Sequence, residues 1–135
     1  MWNFVLDIED NEELLKEYGR AIILLTNVEY FLKDIIKRKS GNTIEKELGV
    51  LINASAPYLS STLITRLKKL NEKRIIIVHG AVVRFGKSNL QRETDKILKI
   101  DKHTNLETAY PLTKTYLKRI SESARKLVRA LNDVR

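Results

Sequence analysis

The chain has 135 residues, 43% of them apolar and 31% charged, with a net charge of +8 and no cysteine. That length is enough for one domain with its own core, and residues 1–135 are read as a single unit. The lack of cysteine excludes disulfides and thiolate metal sites, and two histidines supply a histidine metal cluster poorly, so no metal or other cofactor is expected. The positive excess favours polyanionic partners, RNA or DNA first.

The N-terminal stretch turns acidic at Asp7, Glu9 and Asp10 and carries no basic start with an apolar run, so no signal peptide is expected. Asp10 with Glu13 offers a capping pair for a first helix. Leu14, Tyr18, Ile22, Leu25, Phe31, Leu32 and Ile35 then recur at helical spacing up to Lys37-Arg38-Lys39-Ser40-Gly41, where cations and a glycine mark a stop. A shorter helix is predicted from Asn42, with Glu45 at the reach-back position, through Ile44, Leu48 and Leu51. Ala54-Ser55-Ala56-Pro57 reads as a break and a new start, since proline suits a first helical turn.

Leu59, Leu63, Leu67 and Leu70 step at helical spacing, with Arg66, Lys68, Lys69 and Lys73 outside. Four β-branched residues follow, Ile75 to Val78, a run that alone reads as a buried strand. A hairpin turning at His79-Gly80 is the competing reading. The helix is preferred because no turn residue separates Leu70 from Arg74 and Gly80 makes a good stop. Residues 86–105 are polar and read as a loop or arm, with Val82–Phe85 and Ile97–Ile100 forming a small β-hairpin or extended arm. Pro111-Leu112-Thr113 opens a last helix with an apolar stripe at Tyr116/Leu117, Ile120, Ala124, Leu127/Val128 and Leu131. Its other face carries Lys114, Lys118, Arg119, Arg125, Lys126 and Arg129; with Lys73 these are the candidate nucleic-acid contacts. The longest apolar runs, Ala21–Leu25 and Ile75–Val78, are too short to span a bilayer, so no membrane partner and a soluble, cytoplasmic protein are expected.

Arg74 and His79 are the pair best suited to chemistry. An arginine holds phosphate oxygens with a charge-assisted fork, and a histidine moves a proton near neutral pH. Five residues apart, they are separated on a helix by about 7.5 Å of rise and about 140° of rotation. They converge only if the arginine bends around a ligand or two copies pool side chains across a twofold axis, for which the apolar Ile75–Val78 run supplies an interface. Glu29 falls on the buried stripe between Leu25 and Leu32. A buried glutamate needs a partner, and Arg74 is the natural candidate. The plainer alternatives are a Glu29–Arg74 bridge that only fixes packing and a His79 that bonds the last helical carbonyls. Tyr30, Tyr58 and Tyr116 read as half-buried, Trp2 and Phe4 as a staple or dimer contact, and His103 as solvated.

The segment Leu70-Asn71-Glu72-Lys73-Arg74-Ile75-Ile76-Ile77-Val78-His79-Gly80 resembles the signature of HEPN domains. That signature is an arginine, four to six residues, then histidine, near the end of the third helix of a four- to five-helix bundle. The long first helix with its inward Glu29 and the helix opened by Pro-Leu-Thr extend the similarity over roughly residues 10–131. Two positions depart from the pattern. Ile75 stands where active members often carry Asn, Asp or His, and Gly80-Ala81 replaces the His-x-Tyr of some toxin members. The resemblance implies an all-α bundle and a metal-independent endoribonuclease acting as a homodimer, in which His79 moves protons, Arg74 stabilises the phosphate and Glu29 orients Arg74. It further implies a toxin or abortive-infection effector, with a nucleotidyltransferase-like antitoxin as partner. The alternative within the family is a non-catalytic dimerisation module that binds RNA, nucleotides or protein.

Overall fold

The computed structural model describes residues 2–4, 12–79, 81–85, 94–100, 107–111 and 113–134, with the strands and residue 79 described through their backbone. Four α-helices form the helical bundle: α1 (Glu12–Ser40), α2 (Leu48–Ser55), α3 (Ser61–His79) and α4 (Lys114–Val134). Four strands accompany them: β1 (Trp2–Phe4), β2 (Ala81–Phe85), β3 (Thr94–Ile100) and β4 (Glu107–Pro111).

The first helix runs 29 residues because nothing in the sequence interrupts it. It carries Glu12 and Glu13 in its first turn and Lys37, Arg38 and Lys39 in its last, both of which suit the helix dipole. Gly41 ends it at φ 79°, donating its N–H to the Lys37 carbonyl at 2.9 Å. A residue with a β-carbon is disfavoured in that left-handed conformation. Asp10 of the expected cap lies outside the described residues.

The second helix does not start at Asn42. Residues 42–47 are non-helical, and the helix begins six residues later at Leu48. Glu45, expected to reach back to the backbone, instead pairs with Lys33 of α1 at 2.9 Å, so the capping box never closes. Pro57 starts only a single 3₁₀ turn, Ala56–Tyr58. The cap of α3 is Ser60, whose Oγ accepts from the Leu63 N–H at 3.2 Å. Thr113 does the same for α4, accepting from the Tyr116 N–H at 3.0 Å.

The third helix continues through Ile75–Val78 to His79, and a strand follows directly after Gly80. The helix reading of Ile75–Val78 therefore holds, and the hairpin turning at His79-Gly80 does not form, since Ala81–Phe85 pairs with residues 94–98 and not with 75–78. The small hairpin expected further along is present as β2 against antiparallel β3, with Val82 opposite Ile97. It belongs to a larger four-stranded antiparallel sheet in the order β1-β2-β3-β4. Within the 86–105 segment, expected as loop or arm, the strand expected at Ile97–Ile100 begins three residues earlier, at Thr94. β4 is an edge strand, where Pro111 at its end removes no interior ladder bond.

The buried core runs between the helices: Leu25, Val28, Leu32 and Ile35 of α1, Leu48, Leu51 and Ile52 of α2, Leu67, Leu70 and Ile77 of α3, and Leu117, Ile120, Leu127 and Leu131 of α4. α1 packs most extensively on α4, while α2 touches both α1 and α3. Small buried residues, Ala21 on α1 and Ser121 and Ala124 on α4, let two long helices approach closely. Among the described residues no helix is long and apolar enough to cross a membrane.

Candidate functional site

Arg74 projects from α3 toward Glu29 of α1, its Nε 3.0 Å from Glu29 Oε1. The two side chains keep only 14% and 20% of their surface accessible, so the pair is mostly withdrawn from water. This is the partnership that the buried stripe predicted, although Glu29 sits at the margin of the core and Val28 beside it is the fully buried residue. The terminal guanidinium nitrogens of Arg74 have no partner among the described residues. Arg74 also lines a cleft of about 370 Å³ between α2 and α3, together with Gly49, Asn53, Lys68, Asn71 and Ile75. Gly49 keeps that cleft tight, since a β-carbon there would lie 3.2 Å from Asn71 Nδ2. One side of the arginine is thus fixed by a carboxylate, and the fork faces a cleft whose lining holds both Lys68 and the carboxylate of Glu47, so an entering anion meets charges of both signs.

His79 is the last residue of α3. Its side chain, all of His103 and the side chains of Trp2 and Phe4 lie outside what is described. The helix end that carries His79 is held by Tyr18 of α1, whose hydroxyl donates to the Ile77 carbonyl at 2.6 Å. That carbonyl lies in the last turn, where no intrahelical donor is available. Burial raises the Tyr18 hydroxyl above the usual phenol range. The Ile75–Val78 run is not buried all round. Ile76 and Ile77 face the core, Ile75 is partly covered, and Val78 is 42% exposed.

The expected nucleic-acid residues divide. Lys73 and Lys126 come together in a groove of about 360 Å³ between α3 and α4, with Arg66, Lys69 and Ser123, over a floor of Leu70 and Leu127. None of these four cations is ion-paired among the described residues, and no acidic residue lines the groove. Lys114 is different. It is paired with Glu13 at 2.7 Å and holds that carboxyl below the usual carboxylate range. Lys118, Arg119, Arg125 and Arg129 are exposed on α4 and line neither cavity.

Arg66 and Lys69 were missed as site residues, although their spacing with Lys73 puts all three on one face of α3. The buried glutamate of α1 was also misplaced. It is Glu17, with 5% of its surface exposed, which pairs with Arg20 at 2.9 Å through one oxygen while its other oxygen has no partner among the described residues. Glu17 shares a stripe with Leu14, Ala21 and Val28, a signal present in the sequence. Tyr30, read as half-buried, is 61% exposed. It lies at the rim of the stripe and packs edge-on against Phe31, ring centroids 5.8 Å apart. Among the described residues, no three His, Cys, Asp or Glu side chains are grouped as a metal site. Comparisons with protein-family models, curated proteins and solved structures found no match.

Proposed function

We propose that this protein is a HEPN-like endoribonuclease that cleaves RNA without a metal ion, acting as a homodimer. The observation that carries the reading is the Glu29–Arg74 pair, which sets an arginine whose terminal nitrogens have no partner among the described residues beside a cleft, about one turn before the histidine that ends α3. In the reaction the RNA 2′-oxygen bonds to the adjacent phosphorus as the bond from phosphorus to the 5′-oxygen breaks. The 2′-hydroxyl gives up its proton and the departing 5′-oxygen gains one, leaving a 2′,3′-cyclic phosphate and a 5′-hydroxyl. His79 is the group that moves a proton, as base or acid, and Arg74 neutralises the charge that develops on the phosphate oxygens. Glu29 is a positioning residue that restricts the arginine's rotamers.

The two active residues of one chain are about 140° apart on the helix, so two copies meeting at the ends of α3 would pool them. The exposed Val78 supports such a meeting point. The corresponding biology is that of a toxin or abortive-infection effector held by an antitoxin, of nucleotidyltransferase type.

The test is cleavage of an end-labelled RNA in the presence of a chelator, comparing the wild type with His79→Ala and Arg74→Ala. Activity in the wild type and its loss in both variants is the expected result. A wild type that binds RNA and cuts none would overturn the enzyme reading. A non-catalytic RNA-binding dimer would take its place, a reading to which the apolar Ile75 beside Arg74 lends support.

A further inference from the structure

The groove between α3 and α4 is a second charged site, on the side of α3 away from the Arg74 cleft. Arg66, Lys69 and Lys73 lie on the flank of α3 that faces α4, whereas Lys68, Asn71 and Arg74 line the flank facing α2. Among the described residues, Arg66, Lys69, Lys73 and Lys126 converge without a carboxylate in the lining, and Ser123 is the other polar side chain there. Four like charges around a cavity of about 360 Å³ add their fields in that space, and an anion there is attracted by all of them.

From Arg66 to Lys73 is seven residues, a rise of about 10.5 Å along the helix. That is longer than a single phosphate group and suits a run of linked phosphates. Leu70 and Leu127 at the floor offer an apolar surface and no aromatic stacking platform, so the groove is built for backbone and not for bases.

We infer that this groove binds consecutive phosphates of a single RNA strand, holding the substrate at a distance from the bond to be cut. The inference rests on the proposed ribonuclease reading for the identity of the strand, and it moves the binding surface away from the outer face of α4. Lys126 is the one α4 cation that takes part, with Lys69 and Lys73 opposite and Ser123 adding a hydroxyl donor. The contact is to phosphate alone, so it is indifferent to sequence and strongly dependent on salt.

The experiment measures fluorescence anisotropy of a labelled 20-nucleotide single-stranded RNA across a salt series, on the full chain. Lys69→Ala with Lys126→Ala removes two exposed groove cations. Lys39→Ala with Lys46→Ala removes the same charge from exposed positions outside both cavities. The groove variant is expected to weaken binding about tenfold and to flatten the plot of log affinity against log salt by about 1.4 units, while the other pair moves neither appreciably. Inorganic tripolyphosphate should compete with RNA on the wild type and lose that ability on the groove variant. Equal effects from the two pairs would overturn the proposal, as would a matching loss from Arg125→Ala with Arg129→Ala. Competition by polyglutamate as strong as that of tripolyphosphate would also overturn it, since the groove would then be an acidic-peptide site. Binding is read separately from cleavage. Groove-dependent binding without cleavage sinks the enzyme reading alone, and cleavage with groove-independent binding sinks this inference alone.

Discussion

The two flanks of α3 carry the same sign of charge and use it in opposite ways. On the α2 side a single arginine is tied to Glu29 and mostly shielded from water. On the α4 side three cations of α3 and one of α4 surround an open groove with no counter-charge among the described residues. A paired, shielded arginine has few rotamers left to lose and a defined direction, which is what transition-state stabilisation requires. Lysines on flexible stems give no fixed geometry, but with no counter-charge among the described residues their field extends outward and would favour a polyanion. On the proposed reading one helix would separate the work of aiming from the work of attracting, and the flanks differ in their carboxylates: Glu29 and Glu47 on the α2 side, none in the described lining on the α4 side.

The largest effect expected from breaking this contrast is on chemistry. A positioned proton-transfer group contributes about 10²–10⁴ in rate and an oxyanion-type donor about 10²–10³. His79→Ala and Arg74→Ala should each reduce chelator-resistant RNA cleavage at least about a hundredfold, measured by single-turnover assay. Lys69→Ala should lower the apparent affinity and leave the saturated rate unchanged.

Stability should separate the flanks next. Arg74→Ala leaves Glu29 without its partner at a partly buried position and should cost about 1–3 kcal/mol in urea unfolding. Adding Glu29→Gln to that variant should return part of the loss and none of the cleavage. Lys69→Ala, at an exposed position with no ion pair among the described residues, should stay within about 0.5 kcal/mol of the wild type. Equal costs on both flanks would remove the basis of the comparison.

A smaller effect comes from the bond that holds the end of α3. Tyr18→Phe removes the donor to the Ile77 carbonyl and should cost about 0.5–1.5 kcal/mol. The raised Tyr18 pKa means that the neutral phenol is favoured in the folded state. Its contribution is therefore complete below the ordinary phenol pKa of about 10 and is lost as pH rises through the higher folded value. Wild-type stability should fall in that alkaline range, and Tyr18→Phe should fall less steeply over the same range. A parallel decline in both proteins would show that this phenol is not responsible.

Much of the helical frame was legible because it is local. The 3–4 spacing from Leu14 to Ile35, the cations before Gly41 and the Pro-Leu-Thr before α4 each report on neighbours in sequence. Asn42 misled because Lys33, nine residues earlier on another element, took the carboxylate that the capping pattern needed. The Glu29–Arg74 pair was legible because an isolated buried carboxylate is so costly that a partner is implied. The basic groove was not, since it exists only where α3 and α4 lie side by side, and spacing along either helix is silent about its neighbour. β4, read as Glu-Thr-Ala-Tyr-Pro, lacks the apolar alternation that marks a strand, and β1 spans only three residues.

The order of the sheet has a kinetic meaning. β2, β3 and β4 follow one another in the chain and can pair as a local meander, but β1 joins them by setting Trp2 opposite Phe85. Closing a loop of about eighty residues costs about 4 kcal/mol in chain entropy, so that pairing is unfavourable until the helices between have already drawn the segments together. The first strand is then expected to dock late in folding, after the rate-limiting barrier. Destabilising substitutions in β1 should accelerate unfolding and leave the refolding rate nearly untouched in stopped-flow measurements, the behaviour of a segment with φ near zero. The same substitutions would shorten the lifetime of the folded state without changing how quickly it is reached.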